Sequence, residues 1–429
     1  MTQTLLAQLD GRTVGRVQRL RTGGLRFSFT YDDAWRNDAD AYPLSLSMPL
    51  SASEHRHPII EAFLWGLLPD NEIILDRWAK RFHVSPRNAF ALIAEVGEDC
   101  AGAVQFIRPE RLADGASPDP EPEWLDEKAI GDRLRALRAD ISATRLPRDT
   151  GQFSLPGAQA KTALLLDGGR WGVPSGRTPT THILKPPMGD LDGHAENEHF
   201  CLALARRLGL ASASSEICRF DGEVAIVVER FDRERTAQGL QRIHQEDMCQ
   251  ALALPPTGKY ENEGGPGAMK IIELLRTHSS ASDEDIPTFI EALIFNWLIG
   301  GSDAHAKNYS LLLGRRGTVR LAPLYDLASA LPYDQIDEHK LKLAMKIGGE
   351  YLLHDIGPRQ WRKFAPAAGL DGDALIGQVD RMIERLPTEA RAVRSEATAH
   401  GLNHPILDRL VERLSRRSEA CRKMLSFAR

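Results

Sequence analysis

Gly301-Ser-Asp-Ala-His-Ala-Lys-Asn308, followed by Leu324-Tyr-Asp326, is the most informative stretch of the sequence. It places an Asp at 303, an Asn five positions later and a second Asp eighteen positions after that. Magnesium prefers oxygen ligands and uses few protein carboxylates when phosphates and waters fill its other positions. One Asn and one Asp therefore suffice as protein ligands of the metal. The first Asp is then available to act on the group that accepts the phosphate.

This order of Asp, Asn and Asp is typical of protein-kinase-like sites. In such sites the first Asp orients or deprotonates the acceptor hydroxyl, and the Asn and the second Asp hold Mg2+ against the phosphates of ATP. The interpretation assigns catalysis to Asp303 and metal binding to Asn308 and Asp326. Asp, Asn and Gly are also common in turns and caps, so the spacing alone is compatible with an ordinary loop.

The residues around this stretch support the interpretation. Residues 286–299 are apolar on nearly every face, which predicts a buried helix with Pro287 in its first turn. Gly300-Gly301 then ends it. The segments 309–313 and 318–324, joined by a Gly-Arg-Arg-Gly turn, predict a β-hairpin that returns Asp326 to the neighbourhood of Asn308.

Composition excludes several classes of protein. A chain of 429 residues predicts two or three domains, and a net charge of −5 gives no overall nucleic-acid signature. The five cysteines form no CxxC pair, so neither a zinc site nor a disulfide framework is expected. We found no signal peptide and no apolar run long enough to span a bilayer, and we therefore expect a cytoplasmic protein.

The C-terminal region is locally basic. From Arg381 to Arg429 there are eleven Lys and Arg against six Asp and Glu, an excess of five. The favoured interpretation is a pair of helices with solvated basic faces. A docking surface for an acidic partner or for DNA phosphates is the alternative.

The pattern along the chain predicts an α+β protein. An N-terminal α+β module (residues 1–107) contains two or three strands within residues 4–30 around Asp10-Gly11 and Gly23-Gly24. It also contains a long helix over 59–82, a helix from Ser85-Pro86 to about Glu95, and a closing strand over 103–107.

Residues 108–140 form a linker, rich in Pro and charge over 108–124, and a helix over 125–139. Residues 141–245 resemble the small lobe of a kinase. Residues 246–429, mostly helical, resemble the large lobe. The small lobe carries one helix over 195–208, and its predicted strands cover residues 153–155, 162–166, 171–173, 181–184, 217–220 and 223–228.

Three further segments of the small lobe carry candidate site residues. The loop from Phe153 to Lys161 contains Gly157 and Ala158, which let backbone amides approach phosphate oxygens. Lys185 ends a predicted strand, as does the lysine that grips ATP phosphates in kinases. The segment 227–233 lies where a hinge would meet adenine. Taken singly, the loop is better explained as a surface turn and Lys185 as a solvated lysine at a strand end, and the segment 227–233 is compatible with a charged loop.

Together these segments resemble the HipA-type toxin kinases of bacterial toxin–antitoxin pairs. The resemblance runs from about residue 40 to residue 350 and is specific, because many short motifs occur in one order. The matching stretches include Met48-Pro-Leu50, Gly66–Asn71, Gly157–Leu165, Thr180–Pro186, Asn197-Glu198 with Cys201, Val228–Arg233, Gln245–Gln250, Lys259-Tyr260 with Gly264–Gly267, Trp297–Asn308 and Tyr325-Asp326.

The resemblance implies the roles of individual residues. Asp303 would be the catalytic aspartate, and Asn308 and Asp326 would bind Mg2+. Glu229 and Phe231 would meet adenine through their backbones, and Asp232 the ribose. The remaining ATP-contacting residues would be Pro156, Gly157, Ala158, Gln159, Ala160, Lys161, Lys185, Arg230, His305, Ala306, Lys307 and Tyr325.

The resemblance also implies a switch and a set of partners. Ser154 occupies the position that such kinases phosphorylate on themselves, which ejects the loop and inactivates the enzyme. Relatives carry Glu where this chain has Ala160, so a side-chain role for that Glu is in doubt here. The implied substrate is an aminoacyl-tRNA synthetase, notably glutamyl-tRNA synthetase. The implied partners are a HipB-like helix-turn-helix antitoxin dimer and, through it, operator DNA.

The main hypothesis is therefore a serine/threonine kinase toxin that uses ATP and Mg2+. A catalytically silent co-repressor that contacts DNA through the basic C-terminal region is a second hypothesis, although it does not explain why both Asp303 and Asp326 are present. A small-molecule phosphotransferase is the third, because antibiotic kinases use a similar loop. The Ser154 loop and the long N-terminal module favour a protein substrate.

Overall fold

The computed structural model describes residues 4–19, 26–113, 121–144, 153–174, 178–189, 191–237 and 239–426. The chain forms two compact units. Both contain helices and antiparallel strands, so the predicted α+β class is confirmed. The first unit comprises Met1–Pro186, Cys218–Thr257 and Ser310–Ala322, and the second comprises Pro187–Ile217, Gly258–Tyr309 and Pro323–Arg429.

A five-stranded antiparallel sheet lies in the N-terminal part of the first unit. The predicted strands and the closing strand are confirmed, and Asp10-Gly11 forms the first turn with both residues at positive φ. Gly23-Gly24 lies outside the described residues. The spatial order of the strands is Glu54–Arg56, Phe27–Tyr31, Arg12–Arg19, Thr4–Leu9 and Gln105–Ile107.

The helices of this region differ from the prediction. The single long helix predicted over 59–82 is wrong, because the chain breaks around Pro69 and Asn71 caps a new helix by accepting from the Ile73 amide at 2.9 Å. The next helix begins after Asn88 and not at Ser85. The helices are Asp33–Arg36, Ile59–Gly66, Glu72–Phe82, Ala89–Val96 and Pro109–Ala113.

A six-stranded sheet follows. The helix Glu127–Ala139 packs Ile130 and Leu134 against apolar residues of this sheet, including Leu164, Leu184 and Val227. The spatial order of its strands is Ser215–Phe220, Glu223–Glu229, His182–Lys185, Thr162–Asp167, Arg170–Val173 and Glu123–Leu125.

Two predictions about this region need correction. Part of the predicted linker forms the edge strand Glu123–Leu125 and another part forms a short helix, while residues 114–120 lie outside the described residues. The strand predicted over 153–155 is reduced to a single parallel bridge from Phe153 to Asp99. The start of this strand-rich region, residue 152, also lies outside the described residues.

The predicted β-hairpin is confirmed and belongs to the first unit. Its strands Ser310–Gly314 and Thr318–Leu321 are joined by His244–Asp247 in a three-stranded antiparallel sheet. The helix Met248–Ala251 then begins with a capping box, in which Asp247 and Gln250 exchange side-chain and backbone hydrogen bonds. A two-stranded ribbon, Arg233–Thr236 with Gly239–Arg242, completes the unit.

The second unit is mainly helical, and it includes the helix over 195–208 that the sequence analysis had placed in the small lobe. Its core is the helix Ser282–Ile299, referred to below as the central helix, and Trp297 at its end packs edge-on against Trp361. This helix begins four residues before the predicted start. The other helices are His194–Leu208, Ala268–His278, Pro358–Ala368, Gly372–Ala399 and Pro405–Ser426, and a small hairpin joins Lys342–Ile347 to Glu350–Leu352.

The basic C-terminal helices carry their own counter-ions. Arg394 pairs with Asp408, and Arg413 with Asp334 and Glu338. Arginines and lysines one turn from a glutamate form further pairs. This arrangement favours the interpretation of solvated helix faces. Among the described residues, no helix is both long enough and apolar enough to span a membrane, and none of the five cysteines forms a disulfide.

Candidate functional site

Asp303 lies in the loop that follows the central helix. Gly300 ends the helix with φ +65°, a conformation that favours glycine. Gly301 passes so close to Asn296 that a Cβ at position 301 would lie 2.3 Å from the Asn296 Oδ1. The Asp303 side chain is exposed. The two glycines therefore place an exposed carboxylate a few residues beyond a rigid, buried helix.

Asn308 is oriented by the backbone of the same loop. Its Nδ2 donates to the Asp303 carbonyl oxygen at 2.9 Å. The residue ends a short 3-10 helix, Ala306–Asn308, whose first amide donates to the Lys259 carbonyl oxygen at 3.3 Å. Because the amide nitrogen is engaged, the amide oxygen is the atom that remains to bind a cation.

Asp326 is positioned near this loop by the hydrogen bonds of the two residues before it. The Leu324 backbone is hydrogen-bonded to Ala211 and Ala213, each at 2.8 Å, and the Tyr325 hydroxyl donates to the Lys307 carbonyl oxygen at 2.6 Å. Asp326 itself has φ +54°, a strained conformation for a residue other than glycine. The structure thus brings Asp303, Asn308 and Asp326 to one place, as the spacing predicted.

His305 lies inside this arrangement. Burial lowers its pKa, with Asp303 opposing and Lys259 reinforcing that effect, so the imidazole is neutral at pH 7. Its Nδ1 atom is buried and finds no hydrogen-bond partner among the described residues. Since a buried polar atom without a partner is costly, this nitrogen favours a bound ligand at the site.

A buried asparagine that the sequence interpretation left without a role holds the segment after Asp326. The Asn197 side chain donates to the Ser329 carbonyl oxygen at 2.7 Å and accepts from the Ser329 amide at 3.0 Å. The Ser329 hydroxyl in turn donates to the Ile299 carbonyl oxygen at the end of the central helix. Asn197 lies in one of the stretches that carry the family resemblance, and this was the signal in the sequence that could have identified it.

The loop Phe153–Lys161, which we call the phosphate loop, is held against N-terminal segments of the first unit. Ser154 is fully buried, and its Oγ donates to the Leu67 carbonyl oxygen at 2.7 Å. The Ser154 amide donates to the Asp99 carbonyl oxygen at 2.9 Å, and the Asp70 amide donates to the Gly157 carbonyl oxygen at 3.2 Å. No kinase could reach Ser154 without opening these contacts.

The phosphate loop curls around a lysine. The Lys161 Nζ donates to the Pro156 carbonyl oxygen at 2.7 Å, and a Cβ on Gly157, which has φ +105°, would lie 2.6 Å from that Nζ. The buried Nε2 of Gln159 has no hydrogen-bond partner among the described residues, whereas Ala158 is exposed. A cation, an unpartnered donor and a glycine are a suitable cradle for phosphate oxygens.

Lys185 lies beside this loop on the six-stranded sheet. Thr162 pairs with Leu184, so Lys161 and Lys185 occupy neighbouring strand ends, one residue beyond the last pair of their ladder. Both side chains are largely buried. Two ammonium groups at adjacent strand ends are a charge arrangement that suits an anion such as a phosphate.

The predicted hinge divides into exposed and buried residues. Glu229 is exposed and Phe231 is half-buried, and the contact of their backbones with adenine stays a prediction. Arg230 and Asp232 are fully buried and bind each other through two hydrogen bonds, at 2.9 and 2.8 Å. Asp232 also accepts from the Gly102 amide at 2.7 Å. These contacts give both side chains a structural role, and the ribose contact of Asp232 stays a prediction.

Asp99 completes this buried ion cluster, and the sequence interpretation gave it no role. It binds Arg233 at 2.9 Å and Arg242 at 3.1 Å, and it accepts from Thr180 at 2.7 Å. Burial alone would raise the pKa of Asp99, but Arg233, Arg242 and Arg230 outweigh it and hold the pKa well below the usual range. The ion pairs therefore hold residues 99–102 against residues 230–233 of the predicted hinge.

Asp232 responds to the same surroundings. Burial raises its pKa, but Arg230 and then Arg233 outweigh that effect and lower the pKa to about 2.

Within the part of the chain that the structure describes, no group of three or more His, Cys, Asp or Glu side chains could hold a metal ion. A cation at Asn308 and Asp326 would thus rely on ligands from outside the protein, as magnesium bound to a nucleotide does.

Comparison with known proteins identifies the relatives of this chain. Residues 5–107 match the HipA N-terminal domain, and residues 153–390 match the HipA-like C-terminal domain. The protein Y4mE of Sinorhizobium fredii is 40% identical over 365 residues, which cover 84% of each chain. The serine/threonine-protein kinase toxin HipA of Shewanella oneidensis is 30% identical over 409 residues, which cover 90% of this chain and 88% of that one.

A solved structure gives the same result. The match is to a complex of the toxin–antitoxin system of Shewanella oneidensis, containing HipA, HipB and operator DNA. It has a TM-score of 0.84 and 26% identity, and it covers 98% of both chains. The predicted kinase-like fold is confirmed. These relatives favour a protein kinase over both the silent co-repressor and the small-molecule phosphotransferase.

The buried ion cluster predicts a specific pH dependence of stability. Because the folded-state pKa values of Asp99 and Asp232 are depressed, their contribution is present above about pH 4 and is lost as the pH falls through the folded values. Asp99→Asn should therefore lower the free energy of unfolding by about 3–5 kcal/mol at pH 7. This deficit should shrink between about pH 4 and pH 2.

Urea unfolding of both proteins at several pH values measures this. Asp408→Asn is the control, because it removes a carboxylate from an exposed pair with Arg394 and should cost about 0–1 kcal/mol. Equal losses in the two variants at pH 7 would contradict the structural role of the cluster.

The packing of Ser154 predicts how the phosphate loop opens. Ser154→Glu would place a carboxylate in a fully buried position, so the loop should leave its seat. Ser154→Ala removes only the hydrogen bond to Leu67 and should leave it closed. Hydrogen exchange measures this, since the amides of Ser154 and Asp70 should lose protection in Ser154→Glu alone. Equal protection in both variants would contradict this account.

Proposed function

Because this chain belongs to the HipA family of serine/threonine-protein kinases, we propose that it transfers the γ-phosphate of ATP to a serine of another protein. The observation that carries the proposal is the convergence of three residues in the second unit. An exposed Asp303, an Asn308 oriented by the Asp303 backbone and an Asp326 beside them reproduce the set that phosphoryl transfer requires.

The residues fit ATP and Mg2+ as ligands. Within the first unit, the cradle at Gly157 suits phosphate oxygens, and within the second unit the unpartnered His305 Nδ1 favours a bound ligand. ATP supplies the phosphoryl group, and Mg2+ neutralises the charge that builds up on it. Asn308 and Asp326 would hold the metal, and Lys161 and Lys185 would hold phosphate oxygens.

Asp303 would act on the acceptor. Its exposed carboxylate would accept a hydrogen bond from the serine hydroxyl and receive its proton. The hydroxyl oxygen would bond to the γ-phosphorus as the bond from that phosphorus to the bridging oxygen breaks and ADP leaves. There is little covalent chemistry for the protein to perform, so the rate depends on positioning and on charge neutralisation. The rigid helix end before Asp303 suits that requirement.

The hinge segment would bind the nucleoside. The Glu229 and Phe231 backbones would meet adenine, and Asp232 would meet the ribose. The last contact requires Asp232 to share its carboxylate between a ligand and the ion cluster with Arg230. In the phosphate loop, Ala158, Gln159 and Ala160 would contribute backbone amides, and Ala160 gives no carboxylate to order the loop.

We infer the substrate and the partners from the family. An aminoacyl-tRNA synthetase such as glutamyl-tRNA synthetase would be the acceptor protein, so transfer would slow translation. A HipB-like helix-turn-helix dimer would neutralise the toxin and tether it to operator DNA, since the matched solved structure contains HipA, HipB and operator DNA. Phosphorylation of Ser154 would inactivate the enzyme by opening the phosphate loop.

Mass spectrometry of the purified protein after incubation with ATP and Mg2+ tests the activity. Phosphate should appear on Ser154 of the wild type and not of Asp303→Ala, because only the wild type retains the group that acts on the acceptor. Both proteins should bind a non-hydrolysable ATP analogue equally, since Asp303 is not a phosphate or metal ligand. Asp303→Ala that retains phosphorylation would contradict the role of Asp303.

The state of Ser154 before the reaction is the necessary control. Phosphate already present on it would mean that the enzyme had inactivated itself during expression, and Ser154→Ala would then be the active form to assay. That variant should phosphorylate purified glutamyl-tRNA synthetase for longer than the wild type does. No phosphate on any protein, with Ser154 unmodified at the start, would contradict the kinase proposal.

A further inference from the structure

A tyrosine contacts the catalytic aspartate directly. The Tyr260 hydroxyl donates to the Asp303 Oδ1 at 2.6 Å. This is the length of a hydrogen bond in which an O–H group meets an ionised carboxylate, which is among the stronger kinds in proteins. The sequence interpretation quoted Tyr260 only as part of a matching stretch and gave it no role.

The tyrosine is held from two sides within the second unit. Its ring packs edge-on against the His305 ring, with centroids 5.0 Å apart, and the Lys259 ammonium lies 5.5 Å from its centroid. The Lys259 carbonyl oxygen accepts from the Ala306 amide. The tyrosine is thus attached to the same loop that carries Asp303 and Asn308.

The segment that carries Tyr260 is itself compact. The amides of Glu263 and Gly265 both donate to the Tyr260 carbonyl oxygen, at 3.1 and 2.8 Å, and a Cβ on Gly265 would lie 2.2 Å from the Gly258 carbonyl oxygen. Glu261 anchors the segment by accepting from the Lys346 amide at 2.7 Å. A tyrosine on so constrained a backbone has a fixed hydroxyl position.

We propose that Tyr260 is a positioning residue that fixes the Asp303 carboxylate for phosphoryl transfer, an inference that rests on the proposed function. An exposed aspartate rotates freely about its terminal torsion, which has a broad, two-fold preference. The bond from Tyr260 holds Oδ1 in place and leaves Oδ2 to face the acceptor hydroxyl. Because transfer depends on small differences in geometry, an unfixed carboxylate would spend most of its time misplaced.

The same contact admits an opposite role, which the test distinguishes. If the Tyr260 hydroxyl occupied the place of the acceptor hydroxyl, a substrate would have to displace the tyrosine. Removing the Tyr260 hydroxyl would then accelerate transfer. The compact segment and the packing on His305 favour positioning, because a group that must leave with every turnover would not be fastened from both sides.

Tyr260→Phe tests the proposal, since it removes the hydroxyl and keeps the ring against His305. With ATP and Mg2+, the rate of phosphate incorporation into Ser154 and into purified glutamyl-tRNA synthetase should fall at least about tenfold. The KM for ATP and the affinity for a non-hydrolysable ATP analogue should stay within about twofold, because Tyr260 acts on the acceptor side. A merely structural defect would change nucleotide affinity as well.

Tyr351→Phe is the matched control. Tyr351 is half-buried in the same unit and carries Lys346 5.1 Å from its ring centroid, but its hydroxyl has no hydrogen-bond partner among the described residues. This variant should keep the wild-type rate. Tyr260→Phe with an unchanged or raised rate, beside an active wild type, would overturn the positioning role alone. A wild type that transfers no phosphate to either acceptor would overturn the proposed function together with it.

Discussion

The carbonyl groups at the end of the helix Ser282–Ile299 need hydrogen-bond partners, and the rest of the candidate site depends on which partners they have. A helix leaves its last carbonyls without partners inside the helix, and burial makes such groups costly. Here the Ile299 carbonyl accepts from Ser329 and the Gly300 carbonyl accepts from the Ala330 amide at 3.1 Å. Both donors follow Asp326 closely in sequence.

The same requirement accounts for the residues around the helix end. Asn197 is fully buried because it holds Ser329 through both its amide oxygen and its amide nitrogen. Gly301 lies against Asn296, whose Nδ2 donates to the Tyr309 hydroxyl at 3.2 Å. The loop from 302 to 308 is therefore fixed at both ends by buried polar contacts, while Asp303 in its middle reaches solvent.

Charge organises the first unit in a different way. The two lysines of the candidate phosphate site are largely buried at neighbouring strand ends. The aspartates and arginines around Asp99 are buried too, and they pair with each other and fix the backbone. The ion pairs around Asp99 therefore have a structural role, whereas two buried lysines at adjacent strand ends suit the binding of an anion.

Local signals in the sequence were sufficient where the deciding interaction was local. The buried helix, the glycines that end it and the hairpin were all predicted, because helix burial and turn formation leave characteristic residues in a short segment. The break at Pro69 was misjudged because the periodicity continued across it, and the cap that starts the second helix depends on a single residue, Asn71.

Contacts between distant segments were decided by the tertiary structure alone. Arg230 and Asp232 looked like hinge residues, but their side chains are engaged with residues 99–102, which lie more than a hundred positions earlier. Tyr260 stands 43 positions before Asp303, and nothing in its own segment indicates that the two touch. The sequence by itself determined the family and the fold class, and it supplied the residues that we propose for the chemistry. The tertiary structure decided which side chains orient those atoms, since long-range hydrogen bonds leave no periodic pattern along a chain.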